Sequence, residues 1–288
     1  MENLYDSNGL IFWSEGEIRL RNMFEKYFVQ SIKENLKAQN RAFDFHKCEA
    51  PLLTPTDLIN PNYTEDDVWM QQQSGRGGAF LEYAGDLVKI EADRERLTGI
   101  NYGLLLELNA QISKNEEING TAYSLCISVF NELYPQKSLV LRPETTMGSY
   151  AYARHLLNFY NAVKVMPPLV VYQHGKSFRR EQDQPTKFMR LKEFYQLEFQ
   201  ILFSPSTKND YSILLVPAVC KMIDNMIGPY HVEDSDRIPS YAEWTRDVVC
   251  DKTGMEVCSI SKRTDYENMN VIEVAIGTDR CIYNFNNK

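Results

Sequence analysis

Over residues 15–36 apolar side chains return every three or four positions: Ile18, Leu20, Met23, Phe24, Tyr27, Phe28, Ile32 and Leu36, with charges between them. That period is one face of an α-helix and predicts an amphipathic helix. The pattern shortens over 43–49, where an extended segment is expected, bounded by Pro51 and Pro55. Periodicity then lapses over 60–85: Asn60-Pro61-Asn62, three glutamines and Ser74-Gly75-Arg76-Gly77-Gly78 read as loop. The glycine-rich stretch has neither P-loop spacing nor a following Gly-Lys-Ser/Thr. Helical spacing resumes over 86–97, 102–112 and 122–133. A short strand, Ser138-Leu139-Val140-Leu141, leads into Arg142-Pro143-Glu144-Thr145-Thr146 and a helix to about Phe159. Pro143 at the entry and Glu144 in the first turn suit a helix start.

After Pro167-Pro168 the pattern becomes strand-like. Leu169-Val170-Val171-Tyr172-Gln173-His174 continues to Phe178, a polar stretch at 182–186 follows, and a second strand is expected over 188–203. Two long strands joined by a short polar loop predict an antiparallel hairpin. Ser206 is placed to cap a helix to about Ile227, with Asp210 in its first turns. Strand-like segments recur near Tyr230 and Val248 and over 256–260 and 271–276. Helices followed by consecutive strands do not alternate as βαβ units. The expected class is therefore α+β, a mostly antiparallel β-sheet flanked by helices.

Composition narrows this further. The chain has 288 residues, with 31 Lys+Arg against 39 Asp+Glu and a formal net charge of −8. A chain of this size buries enough surface to need neither disulfides nor a metal to hold a core. Net acidity argues against a broad nucleic-acid surface, though a local basic strip remains open. The six cysteines (48, 126, 220, 250, 258 and 281) are scattered without a C-x-x-C pair, so reduced, buried thiols are expected. Four histidines without zinc-type spacing give no reason to expect a protein-held metal. The first residues carry no basic region followed by an apolar one, and no apolar run approaches the ~18 residues of a membrane span. A cytoplasmic protein is expected.

The charge is unevenly spread. Residues 173–192 hold six basic side chains (Lys176, Arg179, Arg180, Lys187, Arg190 and Lys192) against two acidic ones. Alternate residues of a strand share a face, which groups Arg179 with Glu181, and Arg190 and Lys192 with Phe194, Gln196 and Glu198. If the two faces coincide, arginines, an aromatic ring and carboxylates meet on one surface. That set suits a nucleoside triphosphate: guanidinium for phosphate, a ring for the base, carboxylate for ammonium or Mg²⁺. A solvated hairpin laced with ion pairs is the other reading of the same residues. At the C-terminal end, Glu273 sits in an apolar strand and Gly277-Thr278-Asp279-Arg280 turns towards a helix, where a guanidinium could meet phosphate.

Taken in order, these segments resemble the catalytic core of class II aminoacyl-tRNA synthetases, and among them the glycyl-tRNA synthetases. Residues 45–53, after the first helix, are similar to the first class motif, which supplies dimer contacts. Leu141-Arg142-Pro143-Glu144-Thr145 matches the glycyl R-P-E-T signature, and Phe178-Arg179-Arg180-Glu181 with 190–198 resembles the second motif. Residues 241–247 and 263–266 look like two further glycyl-type segments, and Ile272-Glu273 with 277–280 matches the third motif. The resemblance implies that Arg179 holds the ATP α-phosphate and Arg280 the γ-phosphate, and that Arg190 also binds ATP. It implies that Phe194 stacks on adenine and that Arg179, Glu181 and Arg280 are the catalytic residues. Glu181, Glu198 and Glu273 would receive the ammonium group of glycine, with Arg142, Glu144 and Ala275 in the same pocket. ATP and Mg²⁺ are thus expected, Mg²⁺ arriving on the phosphates, as are a tRNA acceptor end and a homodimer.

Departures from that pattern accompany it. Thr146-Met147-Gly148 stands where Ala-Gln-Gly is usual, and Ala275 stands where a pocket serine is usual. Eight residues follow Arg280, so the third-motif helix is expected to be nearly absent. A single catalytic domain, with an insertion at about 60–135 and no C-terminal anticodon-binding domain, is the expected organisation. Two further readings stay open: delivery of the aminoacyl group to a carrier protein or small molecule, and a non-catalytic binding protein built on the same fold.

Overall fold

The first apolar stripe folds as its period predicts. In the computed structural model of the chain, helix α1 spans Glu15–Lys37 and opens with a capping box between Ser14 and Glu17. Phe24, Phe28, Ile32 and Leu36 face inward and are buried. The structure describes residues 4–6, 10–38, 43–55, 59, 63, 68–70, 139–162, 168–179, 190–205, 212–236, 238–266 and 268–287. The helices expected over 86–97, 102–112 and 122–133, the glycine-rich stretch at 74–78 and the Ser206 and Asp210 cap lie outside the described residues. The chain forms two compact units, one of Met1–Thr54, Leu58–Trp69 and Leu141–Lys288, the other of Pro55–Asp57 and Met70–Val140. The first unit holds the long strands and every described helix.

Strands β1 (Leu4–Asp6) and β2 (Leu10–Phe12) pair antiparallel ahead of α1. After β3 (Asp44–Lys47) come three short strands, β4 (Leu53–Pro55), β5 (Trp69–Met70) and β6 (Leu139–Leu141), and then helix α2 (Thr146–Ala162). Strands β7 (Leu169–Phe178) and β8 (Glu193–Phe203) form the expected hairpin, followed by helix α3 (Ser212–Met226) and β9 (Tyr230–Asp234). The chain continues through β10 (Ala242–Cys250), β11 (Met255–Arg263), β12 (Asn270–Gly277) and helix α4 (Thr278–Asn286). Gly254, at φ 67°, takes the left-handed position in the turn between β10 and β11.

Seven strands make one sheet in the order β3-β7-β8-β12-β11-β10-β9. Among the described residues of this sheet only the β3–β7 pair is parallel. The fold is α+β with a mostly antiparallel sheet flanked by helices. Alternation gives the sheet two unlike faces. Leu197, Phe199, Ile201, Ile260, Ile272, Val274 and Ile276 build the apolar face against residues of α1, α3 and α4. Their sequence neighbours Gln196, Glu198, Gln200, Ser261 and Glu273 build the other, and α2 covers its Leu169, Val171, Leu202 and Val271 end.

Three boundaries differ from expectation. The second hairpin strand begins at Glu193, not near 188, because Leu191 turns away to pack with Ile11 and Met255. Helix α2 begins at Thr146, after Pro143 and Glu144, which therefore do not open it. The Arg142 carbonyl accepts from Phe178 N at 2.9 Å, holding this stretch beside the sheet instead. The helix after Gly277 is present, nine residues long.

Candidate active site

The polar face of the sheet, with the turn before α2 and Tyr63, encloses a cavity of about 230 Å³. Its two ends carry opposite charge.

At one end stand Glu144, Glu198 and Glu273, all buried. Glu198 Oε2 accepts from Thr145 N at 3.2 Å, from the Thr145 hydroxyl, and lies 3.2 Å from the Thr146 hydroxyl. Glu273 Oε2 gathers three donors: Thr146 Oγ1 at 2.8 Å, Gln200 Nε2 at 2.6 Å and Arg263 Nη1 at 2.8 Å. Arg263 is fully buried, pairs also with Asp265 at 2.6 Å, and stacks 3.8 Å over the Tyr241 ring. Glu144 accepts only a long bond, 3.4 Å, from the Tyr63 hydroxyl, and its Oε1 is buried with no partner among the described residues. Burial, with Arg263 opposing, pushes Glu144 up to about 7. Burial, then the charges of Glu273 and Glu144, pushes Glu198 up to about 8. Glu144 and Glu198 therefore hold protons near neutral pH that a further cation in the cavity would displace.

At the other end stand Arg179, Arg190, Arg280 and Phe194. The Arg179 guanidinium lies 5.1 Å over the Phe194 ring and 5.7 Å over that of Tyr63, a range in which ring and cation attract. Its Nη2 donates to the Tyr63 hydroxyl at 3.1 Å and its Nε to the Pro143 carbonyl at 3.3 Å. Arg280, from the first turn of α4, donates to the Glu256 carbonyl at 2.8 Å. Asp279 beside it accepts from Tyr195 N at 2.8 Å, and burial pushes its carboxyl up to about 7.

Glu144, Arg179, Arg190, Phe194, Glu198, Glu273, Ala275 and Arg280 thus line one cavity. Glu181, like Arg180, lies outside the described residues. Arg142 stands apart from the lining. Its Nη1 donates to the Ala50 carbonyl at 2.6 Å and its Nε to the Lys176 carbonyl at 2.7 Å, fastening β7 to the segment after β3. A Cβ at Gly175 would fall 2.3 Å from Arg142 Nη2, so that glycine makes room for it. Met147 packs with the α2 cluster, away from the cavity. Among the described residues no group of three or more His, Cys, Asp or Glu is placed to hold a metal. The five described cysteines are free and buried, and Cys126 lies outside the described residues.

Sequence reasoning missed Tyr63, Thr146, Gln200 and Arg263. Gln200 shares the alternation of Gln196 and Glu198 and was legible by period. Thr146 lay among the departures, yet its hydroxyl sits between Glu198 and Glu273. Nothing in the loop around Tyr63 marks it.

No protein-family model matches the chain. Among solved structures, prolyl-tRNA synthetase from Cryptosporidium parvum, complexed with halofuginone and AMPPNP, superposes on 98% of this chain and 48% of its own, with a TM-score of 0.58 and 11% identity. The fold is that of a class II aminoacyl-tRNA synthetase catalytic core. Similar curated proteins include glycine–tRNA ligases. That of Thermococcus sibiricus is 28% identical over 169 residues, 53% of this chain and 29% of that protein. That of Methanocaldococcus jannaschii is 24% identical over 199 residues, 63% and 33% respectively. That of Mycoplasmopsis synoviae reaches 36% over 76 residues, 26% and 16%. The chain therefore spans about a third or less of the length of these curated relatives. On this fold the cavity lies on the polar face of the antiparallel sheet, between the β7–β8 hairpin and α4.

Proposed function

We propose that the chain activates an amino acid, glycine, with ATP as an aminoacyl adenylate and transfers it to the acceptor end of a tRNA. The division of charge within one cavity carries this reading. Buried carboxylates, with a Glu144 oxygen that has no partner among the described residues, call for an ammonium group, and the arginines beside Phe194 call for phosphate and a base. The relatives, glycine–tRNA ligases, support the choice of reaction. Glycine fits because a substrate without a side chain offers only its ammonium, its carboxylate and its lack of bulk.

Glu144, Glu198 and Glu273 would hold the ammonium and so aim the substrate carboxylate across the cavity. A carboxylate oxygen attacks the α-phosphorus, a C–O–P bond forms, and the bond to pyrophosphate breaks. Arg179 would lie at the α-phosphate, where charge develops, and Arg280 further along the triphosphate. Glu181 would join the acidic group. Positioning and preset charge supply the rate enhancement. Mg²⁺, carried in on ATP, would neutralise phosphate charge.

ATP–pyrophosphate exchange with each amino acid tests the reading. Exchange with glycine is expected, and no exchange with any amino acid in the presence of Mg²⁺ overturns it. Arg179→Ala is expected to slow exchange about 10²–10³-fold, the scale for losing one transition-state donor. A change below about threefold would mean that Arg179 has another role. The proposed protein is a homodimer whose contacts include α1, where Ile18 and Met23 remain exposed. Sedimentation as a monomer at micromolar concentration would refute that part alone.

A further inference from the structure

A phenol joins the two ends of the cavity. Tyr63 accepts from Arg179 Nη2 at 3.1 Å and donates to Glu144 Oε2 at 3.4 Å. It therefore hydrogen-bonds both an arginine of the phosphate end and a carboxylate of the ammonium end. We propose that Tyr63 is a positioning residue that couples amine binding to nucleotide binding. This rests on the function proposed above and adds to it the connection between its two subsites.

The Glu144 Oε1 that would meet an ammonium is buried without a partner among the described residues, and its other oxygen is the one Tyr63 reaches. An ammonium at Oε1 favours the ionised carboxylate, which is the stronger acceptor. The 3.4 Å bond then has reason to shorten towards the usual O–H···O range. A phenol that donates more strongly accepts more strongly, because hydrogen bonds in a chain polarise one another. The gain falls on Arg179, whose guanidinium is already bracketed by the Tyr63 and Phe194 rings. Occupying the ammonium end thus fixes the arginine that would meet the α-phosphate. By linkage, ATP would in turn tighten amine binding by the same factor.

The experiment is calorimetric, with glycine and α,β-methylene-ATP plus Mg²⁺, so that no adenylate forms. In the wild-type chain glycine is expected to tighten binding of the analogue about fivefold or more. In Tyr63→Phe, which keeps the ring and loses the hydroxyl, that ratio is expected to fall below about twofold. The ratio is the readout because a merely structural role would weaken both ligands and leave it intact. A ratio unchanged in Tyr63→Phe overturns the coupling. So does a wild-type ratio near one with both ligands bound, a result that needs no variant. Wild-type chain that binds neither ligand overturns the proposed function itself, and the coupling with it.

Discussion

Glu198 does two jobs that pull against each other. Its carboxylate accepts from Thr145 N and the Thr145 hydroxyl, at the threshold of α2, which favours negative charge. Burial and the neighbouring Glu273 and Glu144 oppose that charge and win, taking it from an ordinary 4.5 to about 8. A raised folded value means that the folded state holds the proton more tightly than the unfolded chain. Stability from this group is therefore fully present below about 4.5 and is lost as pH rises towards about 8. Glu198→Gln cannot ionise. Relative to wild type, it is expected to gain about 3–4 kcal/mol in urea unfolding between pH 5 and pH 8, without ligand, while losing activation. Equal pH profiles for the two proteins would contradict this account. The same crowding is why the site reads as built for a cation.

At the scale of elements, α2 shows what the sequence could and could not reveal. Pro143 and Glu144 carry the usual marks of a helix start, yet the helix opens at Thr146. Its entry is served from β8, through Glu198, and no local pattern announces a partner so distant in the chain. The α1 helix was legible because its capping box and apolar stripe are both local. The β7–β8 hairpin and the two-faced sheet were legible because alternation is local too. Tyr63 was not, since it gains its meaning only from residues that folding brings up, and Arg263 was legible as part of the 263–266 segment but not as the partner of Glu273. Gly148, in the first turn of α2, faces Ala50: a Cβ there would lie 2.2 Å from the Ala50 Cβ. Neither group can swing aside. Gly148→Ala is expected to cost about 1–3 kcal/mol by overpacking, read as a lower midpoint in thermal or urea unfolding.

At the scale of the unit that holds the site, a polar thread ties α1 to the sheet and to α4. His174 on β7 meets Glu25 of α1 through Nδ1 at 2.9 Å and Thr278 of α4 through Nε2 at 3.2 Å. Lys47 of β3 pairs with the same Glu25. The hydrogen bond from His174 holds the Glu25 carboxyl down at about 2. A lowered folded value contributes stability above the unfolded value of 4.5, and that contribution is lost as pH falls towards about 2. Glu25→Gln is expected to destabilise by about 1–2 kcal/mol at pH 7, solvent screening of this partly exposed group reducing the full effect, with the gap closing near pH 2 in the same unfolding assay. It would also loosen α4, and with it Arg280.

Arg263 offers a use of another kind. Its side chain has no solvent exposure, whereas Arg190 is exposed. An arginine-selective reagent such as phenylglyoxal should label Arg190 promptly and reach Arg263 only when the site end of the sheet opens. Peptide mapping over time would then turn Arg263 into a clock for that opening. Glycine, if it binds as proposed, should slow the clock.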